Sequence, residues 1–236
     1  MAVYKGRVWV AKDATIYYSA LGTYNDFTTS DDAGYINEFH TDTGSITALK
    51  PYKDYLAVYK DDSVYLLSGT SPDDFAITLF ANKGAFGANS IVNVENKQYF
   101  LSNGIFALEQ VGELNQIQLG SEISQKIKQE FSSFGKLENT ICLHYETKSQ
   151  MWFFFPYADD KYFHTIWIND YINKAWYKRV LPQDIVTACI HNNSIYTADK
   201  DGNIYKEDFV DEDTGEVIQM ELDLDKLHKH HKRNKQ

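Results

Sequence analysis

Asp54-Tyr55-Leu56-Ala57-Val58-Tyr59-Lys60-Asp61-Asp62-Ser63-Val64-Tyr65-Leu66-Leu67-Ser68 decides the fold class. Leu56 and Val58 flank Ala57, so the first half alternates as a strand does, with successive side chains on opposite faces. Asp61-Asp62 then interrupts two apolar runs, and aspartate tolerates the backbone conformations of a tight turn. The second half is rich in β-branched, aromatic and aliphatic residues, which suit a pleated, half-buried surface. The stretch reads as a β-hairpin.

Working outward, the hairpin repeats. A β-branched residue followed by an aromatic recurs at Ile16-Tyr17, Val64-Tyr65, Ile105-Phe106, Ile166-Trp167 and Ile204-Tyr205. Successive aromatics lie 48, 41, 61 and 38 positions apart. A period of about 40–50 residues is that of four-stranded propeller blades. Polar turns separate the strands at Lys12-Asp13-Ala14, Asn103-Gly104, Asn192-Asn193 and Asp201-Gly202-Asn203. The expected fold is therefore all-β, a β-propeller of about five four-stranded blades.

One blade is expected at 45–49, 54–59, 63–68 and 75–80, closed by Gly84, with Gly84-Ala85-Phe86-Gly87 as a turn between blades. The next falls at 90–94, 97–101, 104–109 and 115–119. A third takes 139–145, 150–155, 163–169 and 174–179, and a fourth 184–190, 194–198 and 203–207. Strands 7–11, 14–19 and 35–40 make a blade one strand short, which 215–222 would complete, closing the ring. The propeller domain would span 1–222 and a basic C-terminal tail 223–236.

The longest interval holds one amphipathic helix, at about 121–134. Ser121 caps it, Ile123, Ile127 and Phe131 form its apolar stripe, and Gly135 ends it. That stripe either covers a blade edge or meets a neighbouring subunit.

Composition narrows the function. With 236 residues the chain is long enough for a real core, and 43% hydrophobic content excludes a disordered chain. The 17 Tyr, 14 Phe and 4 Trp fit a sheet protein. A net charge of −10 argues against a nucleic-acid binder, which needs a basic footprint. Met151–Pro156 is the longest apolar run, far below the roughly 20 residues of a membrane helix, and no secretory signal segment is expected. Cys142 and Cys189 are too few for a disulfide framework and read as buried thiols. Residues 226–236 carry five Lys/Arg (Lys226, Lys229, Lys232, Arg233, Lys235) and three His; without those five the body has 18 basic against 33 acidic residues, or −15.

No site for catalysis or a cofactor stands out. There is no phosphate-binding glycine loop and no nucleophile elbow. His228, His230 and His231 fit a basic tail better than a metal site, and Asp199-Lys200-Asp201-Gly202-Asn203 lacks the ligands of a calcium loop and reads as a hairpin turn. His40, His144, His164 and His191 show no ligand spacing. A sialidase-type propeller would need an arginine cluster, and only Arg7, Arg179 and Arg233 are present. The chain is therefore expected not to be an enzyme, with no metal and no cofactor. Tyr17-Tyr18, Tyr24, Phe27, Trp152, Trp167, Trp176 and Tyr177 either pack between blades or form a sugar-stacking or partner surface.

One run carries a resemblance. Ile16-Tyr17-Tyr18-Ser19-Ala20-Leu21-Gly22-Thr23-Tyr24-Asn25-Asp26-Phe27 resembles a segment of bacteriophage tail and neck propellers, the hub, nozzle or stabilisation proteins of short-tailed phages and prophages. The likeness continues through Ile46-Thr47-Ala48-Leu49, the 54–69 hairpin, Gly84, Gly87, Ser90-Ile91-Val92 and Tyr99-Phe100-Leu101-Ser102-Asn103-Gly104-Ile105-Phe106, and covers roughly 7–210. Family members are generally longer, and the basic tail has no counterpart there. The resemblance implies a non-catalytic virion tail subunit in a ring of copies, commonly six, with other tail proteins as neighbours. It implies assembly in the host cytoplasm and no membrane insertion. The genome DNA would pass through the channel without specific binding, eased by an acidic lumen. The expected subunit contacts are Tyr24, Phe27, Ile123, Ile127 and Phe131, with Lys226, Lys229, Lys232 and Arg233 of the tail. The alternative is a propeller that binds or degrades carbohydrate at the host surface.

Overall fold

Short strands of alternating residues, many of them joined by turns of two to four residues, build the chain as a succession of antiparallel sheets. The computed structural model describes residues 1–37, 39, 44–112, 116–158 and 160–207, and the backbone of 212–213, 216–217 and 220–221. Two compact units result, Met1–Gln125 and Lys126–Gln236.

The first unit holds three four-stranded sheets, each in simple sequential order. Sheet one consists of β1 (Ala2–Tyr4), β2 (Arg7–Lys12), β3 (Thr15–Tyr18) and β4 (Gly34–Ile36). Sheet two consists of β5 (Ile46–Tyr52), β6 (Tyr55–Lys60), β7 (Val64–Ser68) and β8 (Ala76–Ala81). Sheet three consists of β9 (Ile91–Val94), β10 (Lys97–Leu101), β11 (Ile105–Val111) and β12 (Gln116–Leu119). Sheets two and three fall where the sequence places them. Sheet one corrects it: the fourth strand is β1, not 215–222. Lys5 and Gly6 take φ of 48° and 72°, the left-handed pair a two-residue hairpin needs, so Ala2–Tyr4 folds back on Arg7–Trp9. The described parts of 215–222 pair elsewhere, Glu216–Val217 with Glu212–Asp213 and Met220–Glu221 with Lys178 and Arg179.

The sheets stack through their alternating faces. Trp9, Ile16 and Tyr18 of sheet one meet Leu56, Val58, Tyr65 and Leu67 of sheet two. The opposite face of sheet two, Ala57, Tyr59, Val64 and Leu66, meets Ile91, Phe100 and Leu108 of sheet three. Polar bonds cross the same seams. Tyr4 Oη donates to Asp54 O at 2.5 Å, from the end of β1 to the β5–β6 turn. Tyr52 Oη repeats this one sheet on, donating to Asn96 O in the β9–β10 turn at 2.6 Å. Inside the second seam Tyr59 Oη donates to Gln98 Oε1 at 2.7 Å, and Gln98 Nε2 donates to Asn93 Oδ1 at 2.7 Å. Gly84 lies in the link from sheet two to sheet three; a Cβ there would sit 1.9 Å from Lys60 O, so only glycine lets the two backbones approach.

The second unit is one larger sheet in the order β13 (Ile141–Tyr145), β14 (Gln150–Phe154), β15 (Phe163–Asp170), β16 (Ala175–His191), β17 (Ser194–Asp199) and β18 (Ile204–Lys206). The expected third and fourth blades are both here, but they share a strand. Residues 175–180 of β16 pair with β15, while 185–191 pair mainly with β17. Pro182 sits between the two ladders, where its missing N–H breaks no rung. Trp152, Phe154, Ile166, Ile168, Ile185 and Ile195 fill the core of this unit.

The helix is also corrected. It is a 3-10 helix over Ser124–Ser133, starting three residues late, because Ser124 and not Ser121 anchors it. Ser124 Oγ accepts the Ile105 amide at 3.0 Å and donates to Glu122 Oε1 at 2.7 Å, so the chain is pinned to β11 until that point.

Candidate functional site

The β3–β4 connection, residues 19–33, is long for a strand link and carries most of the phage-like segment. Its shape is set from beneath by Arg7, whose side chain is 2% exposed. Arg7 Nη1 donates to Ser19 O at 2.8 Å and also to Asp32 O, and Nη2 donates to Asp32 Oδ1 at 2.6 Å. The guanidinium also lies 5.8 Å from the rings of Tyr18 and Phe75. Asp32 Oδ2 accepts the Leu21 amide at 2.9 Å, and that bond, then Arg7, holds the Asp32 carboxyl below the usual range.

Further bonds fix the middle of the loop. Ser19 Oγ accepts from Val8 N at 2.9 Å and donates to Thr23 O at 2.8 Å. Gly22 N donates to Gly6 O at 2.9 Å, and Ala20 N to Asp26 O at 2.8 Å. Asp26 accepts from the Thr29 hydroxyl and from the Thr28 and Thr29 amides, which together lower its pKa to about 2. A loop bonded at so many points displays what it does not bury. Tyr24 is 79% exposed and Leu21 58%, while Phe27 is half-buried.

The other expected contact residues fare differently. Ile127 is buried, and Phe131 packs 5.4 Å from Phe134 and 5.8 Å from Phe155. Ile123 is half-buried, its amide donating to Ile105 O at 2.9 Å. This stripe is largely taken up by the protein's own packing. Lys226, Lys229, Lys232 and Arg233 lie outside the described residues, as do His40, His228, His230 and His231. Of the aromatics singled out, Tyr18, Trp152 and Trp167 are buried, whereas Tyr17 stays outward beside Tyr35, centroids 6.2 Å apart. Tyr35 lacked a signal beyond its place opposite Tyr17 across the ladder. Cys142 is buried as expected, whereas Cys189, next to the core-facing Ala188 on β16, is exposed.

Elsewhere polar groups are engaged within the chain. Arg179 and Glu207 form a buried ion pair at 2.7 Å, and Thr197 Oγ1 donates to Glu207 Oε1 at 2.6 Å. Asp199 accepts the Asp201 and Asn203 amides, the Asn203 side chain and the Tyr205 hydroxyl. The calcium-like stretch is thus a hairpin turn whose carboxylate already has protein donors. His164, which spacing did not single out, lies 3.0 Å from Asp160 and 3.6 Å from Asp184, and Lys200 pairs with Asp184. Among the described residues no three or more His, Cys, Asp or Glu converge to hold a metal, and no described helix is long and apolar enough to cross a membrane.

No protein-family model matches the chain, and no curated protein matches it. Among solved structures, it resembles the dihydro-heme d1 dehydrogenase NirN in complex with DHE, with a TM-score of 0.54 at 13% identity over 92% of this chain. The chain spans 45% of that protein's length. A structure of BamB from Moraxella catarrhalis, 10% identical, covers 84% of this chain and 78% of its own at a TM-score of 0.29, too low to carry an argument. At such identity the likeness to NirN speaks for fold alone. Together with the sequential antiparallel sheets, it places the chain among all-β, propeller-like proteins.

Proposed function

We propose that the chain is a non-catalytic structural subunit of a bacteriophage or prophage tail, a propeller of about five blades that assembles with copies of itself around the DNA channel. The observation that carries this reading is the 19–33 loop. The residues that resemble the phage segment are held by Arg7, Asp32, Ser19 and Asp26 so as to present Leu21 and Tyr24 outward. A rigid loop tipped by exposed apolar side chains loses little entropy when it meets a neighbour. The sialidase-like alternative is disfavoured by the arginines, since the side chains of Arg7 and Arg179 are both buried and each is already paired with a carboxylate of the protein. The exposed Tyr17–Tyr35 pair is what speaks for a carbohydrate surface.

Mass spectrometry of purified virions, with electron microscopy of the isolated protein, tests the proposal. Peptides of this chain in virions and ring-shaped particles support it. A chain absent from virions that stays monomeric and binds a glycan array overturns it in favour of the carbohydrate reading. Tyr24→Ala should weaken assembly while leaving the melting temperature unchanged, because surface positions of this kind contribute only about 0.5 kcal/mol or less.

A further inference from the structure

Ser102, Asn103 and Gly104 form the tip of the β10–β11 turn, between the paired residues Leu101 and Ile105. Of the chain's asparagines, only Asn103 precedes a glycine. A backbone amide can attack the side-chain carbonyl carbon of the asparagine before it, closing a five-membered ring. Glycine hinders that closure least, because it has no Cβ and its backbone turns freely.

Two side chains flank this pair. Lys83, in the link from sheet two to sheet three, donates from Nζ to Asn103 Oδ1 at 3.0 Å and lies 5.0 Å from the centre of the Phe106 ring. Its charge therefore sits on the oxygen that turns anionic when the carbonyl carbon is attacked. Glu122 covers Gly104 so closely that a Cβ there would stand 2.7 Å from Oε1. Ser124 Oγ, donating to Oε1 at 2.7 Å, and Gln125 Nε2, donating to Oε2 at 2.6 Å, hold that carboxylate in place. The Gly104 carbonyl accepts from Ser102 N at 2.8 Å, while its N–H has no acceptor among the described residues.

Two similar pairs each lack a part. Asn96 Oδ1 also accepts from a lysine, Lys53 at 2.7 Å, but Lys97 follows it in place of glycine. Asp201 precedes Gly202, yet the Gly202 amide already donates to Asp199 O at 3.3 Å.

We propose that Asn103–Gly104 is a self-modification site, at which the Gly104 nitrogen displaces the side-chain amide of Asn103 with Glu122 as base and Lys83 steadying the oxyanion. Glu122 takes the Gly104 amide proton as the nitrogen bonds to Asn103 Cγ. The tetrahedral adduct collapses, its C–N bond to the side-chain nitrogen breaks, and that nitrogen leaves as ammonia carrying the proton back from Glu122. Water then opens the ring at one carbonyl or the other, leaving aspartate or isoaspartate at position 103. The isoaspartyl product lengthens the main chain by one methylene inside a three-residue turn. That strains the Ser102–Gly104 bond and the neighbouring anchor, in which Ile105 N donates to Ser124 Oγ and Ile123 N to Ile105 O. This chemistry does not depend on the role proposed for the chain.

Ageing the purified chain in mildly alkaline buffer, with peptide mass spectrometry at intervals, tests it. Position 103 should gain one dalton, partly as isoaspartate, while Asn96 in the same samples stays intact. Lys83→Met should slow the conversion about two- to fivefold, the range of an exposed charge contact, and Lys83→Arg should restore it. Glu122→Gln should slow it about tenfold or more. In urea the wild type and all three variants should convert alike. Hydrogen exchange of the aged protein should quicken at Ser102, Ile105 and Ile123 relative to Asn103→Gln aged alongside. An Asn103 that converts no faster than Asn96 overturns the site. Rates unchanged or raised by Lys83→Met and Glu122→Gln, or differences that persist in urea, overturn the roles given to the two side chains.

Discussion

The phenol of Tyr52 donates a 2.6 Å hydrogen bond to the carbonyl of Asn96, 44 residues later, and Tyr4 does the same to Asp54 one sheet earlier. A tyrosine at the end of the first strand of a sheet thus ties it to the first turn of the next. Burial is the main cause that raises the Tyr4 hydroxyl to about 12, and it raises Tyr52 as well, so both stay protonated donors. Tyr52→Phe and Tyr4→Phe should each cost about 1 kcal/mol in denaturant unfolding and leave the circular dichroism spectrum unaltered. A cost near zero for both would mean that water replaces these ties.

Arg179 and Glu207 make a different kind of tie, at 2.7 Å with side chains 5% and 1% exposed, and the guanidinium lies 5.6 Å from the Trp152 ring. Removing one charge strands the other. Arg179→Ala should therefore cost about 3–5 kcal/mol, while Arg179→Met with Glu207→Leu should recover most of it. Urea titration of the wild type and these two variants separates the two outcomes.

Gly84→Ala forces a Cβ to within 1.9 Å of Lys60 O, a backbone atom that cannot swing aside. The link between sheets two and three must then shift, for a loss of about 1–3 kcal/mol or more. The chevron plot should show the change mainly in the unfolding rate if this link forms late.

Asp26 and Asp199 are both lowered from 3.8 to about 2, Asp26 chiefly by the Thr29 hydroxyl and Asp199 chiefly by the Asn203 side chain. A depressed carboxyl stabilises the fold above its unfolded pKa, and the contribution disappears as pH falls through the folded value. Stability should accordingly drop between about pH 4 and pH 2, and Asp199→Asn should flatten part of that drop in melts recorded across this window.

How much of this was legible depended on distance along the chain. Leu56, Val58, Asp61 and Asp62 mark their hairpin because alternation and turn chemistry are local, and the same holds for sheet three. The signal for β1 is local too: Val3-Tyr4 is strand-like and Tyr4-Lys5-Gly6-Arg7 carries the glycine of a two-residue turn, but three residues are too few for alternation to assign the strand to its sheet. The shared strand was hidden by Pro182, which reads as a break and in fact marks where β16 changes partners. Tyr24 and Phe27 were visible as aromatics in a loop, yet the support of that loop was not. Arg7 and Asp32 stand 25 residues apart, and no periodicity pairs them.

The joint between the last two ladders is a strand, whereas sheets two and three are joined by residues 82–90, which belong to no strand. A crossover or duplication through 82–90 would hand on whole sheets. One through 181–184 would cut a strand and part Phe163 from Ile185, so inheritance can separate sheets two and three as modules, whereas the last two ladders stay joined through β16.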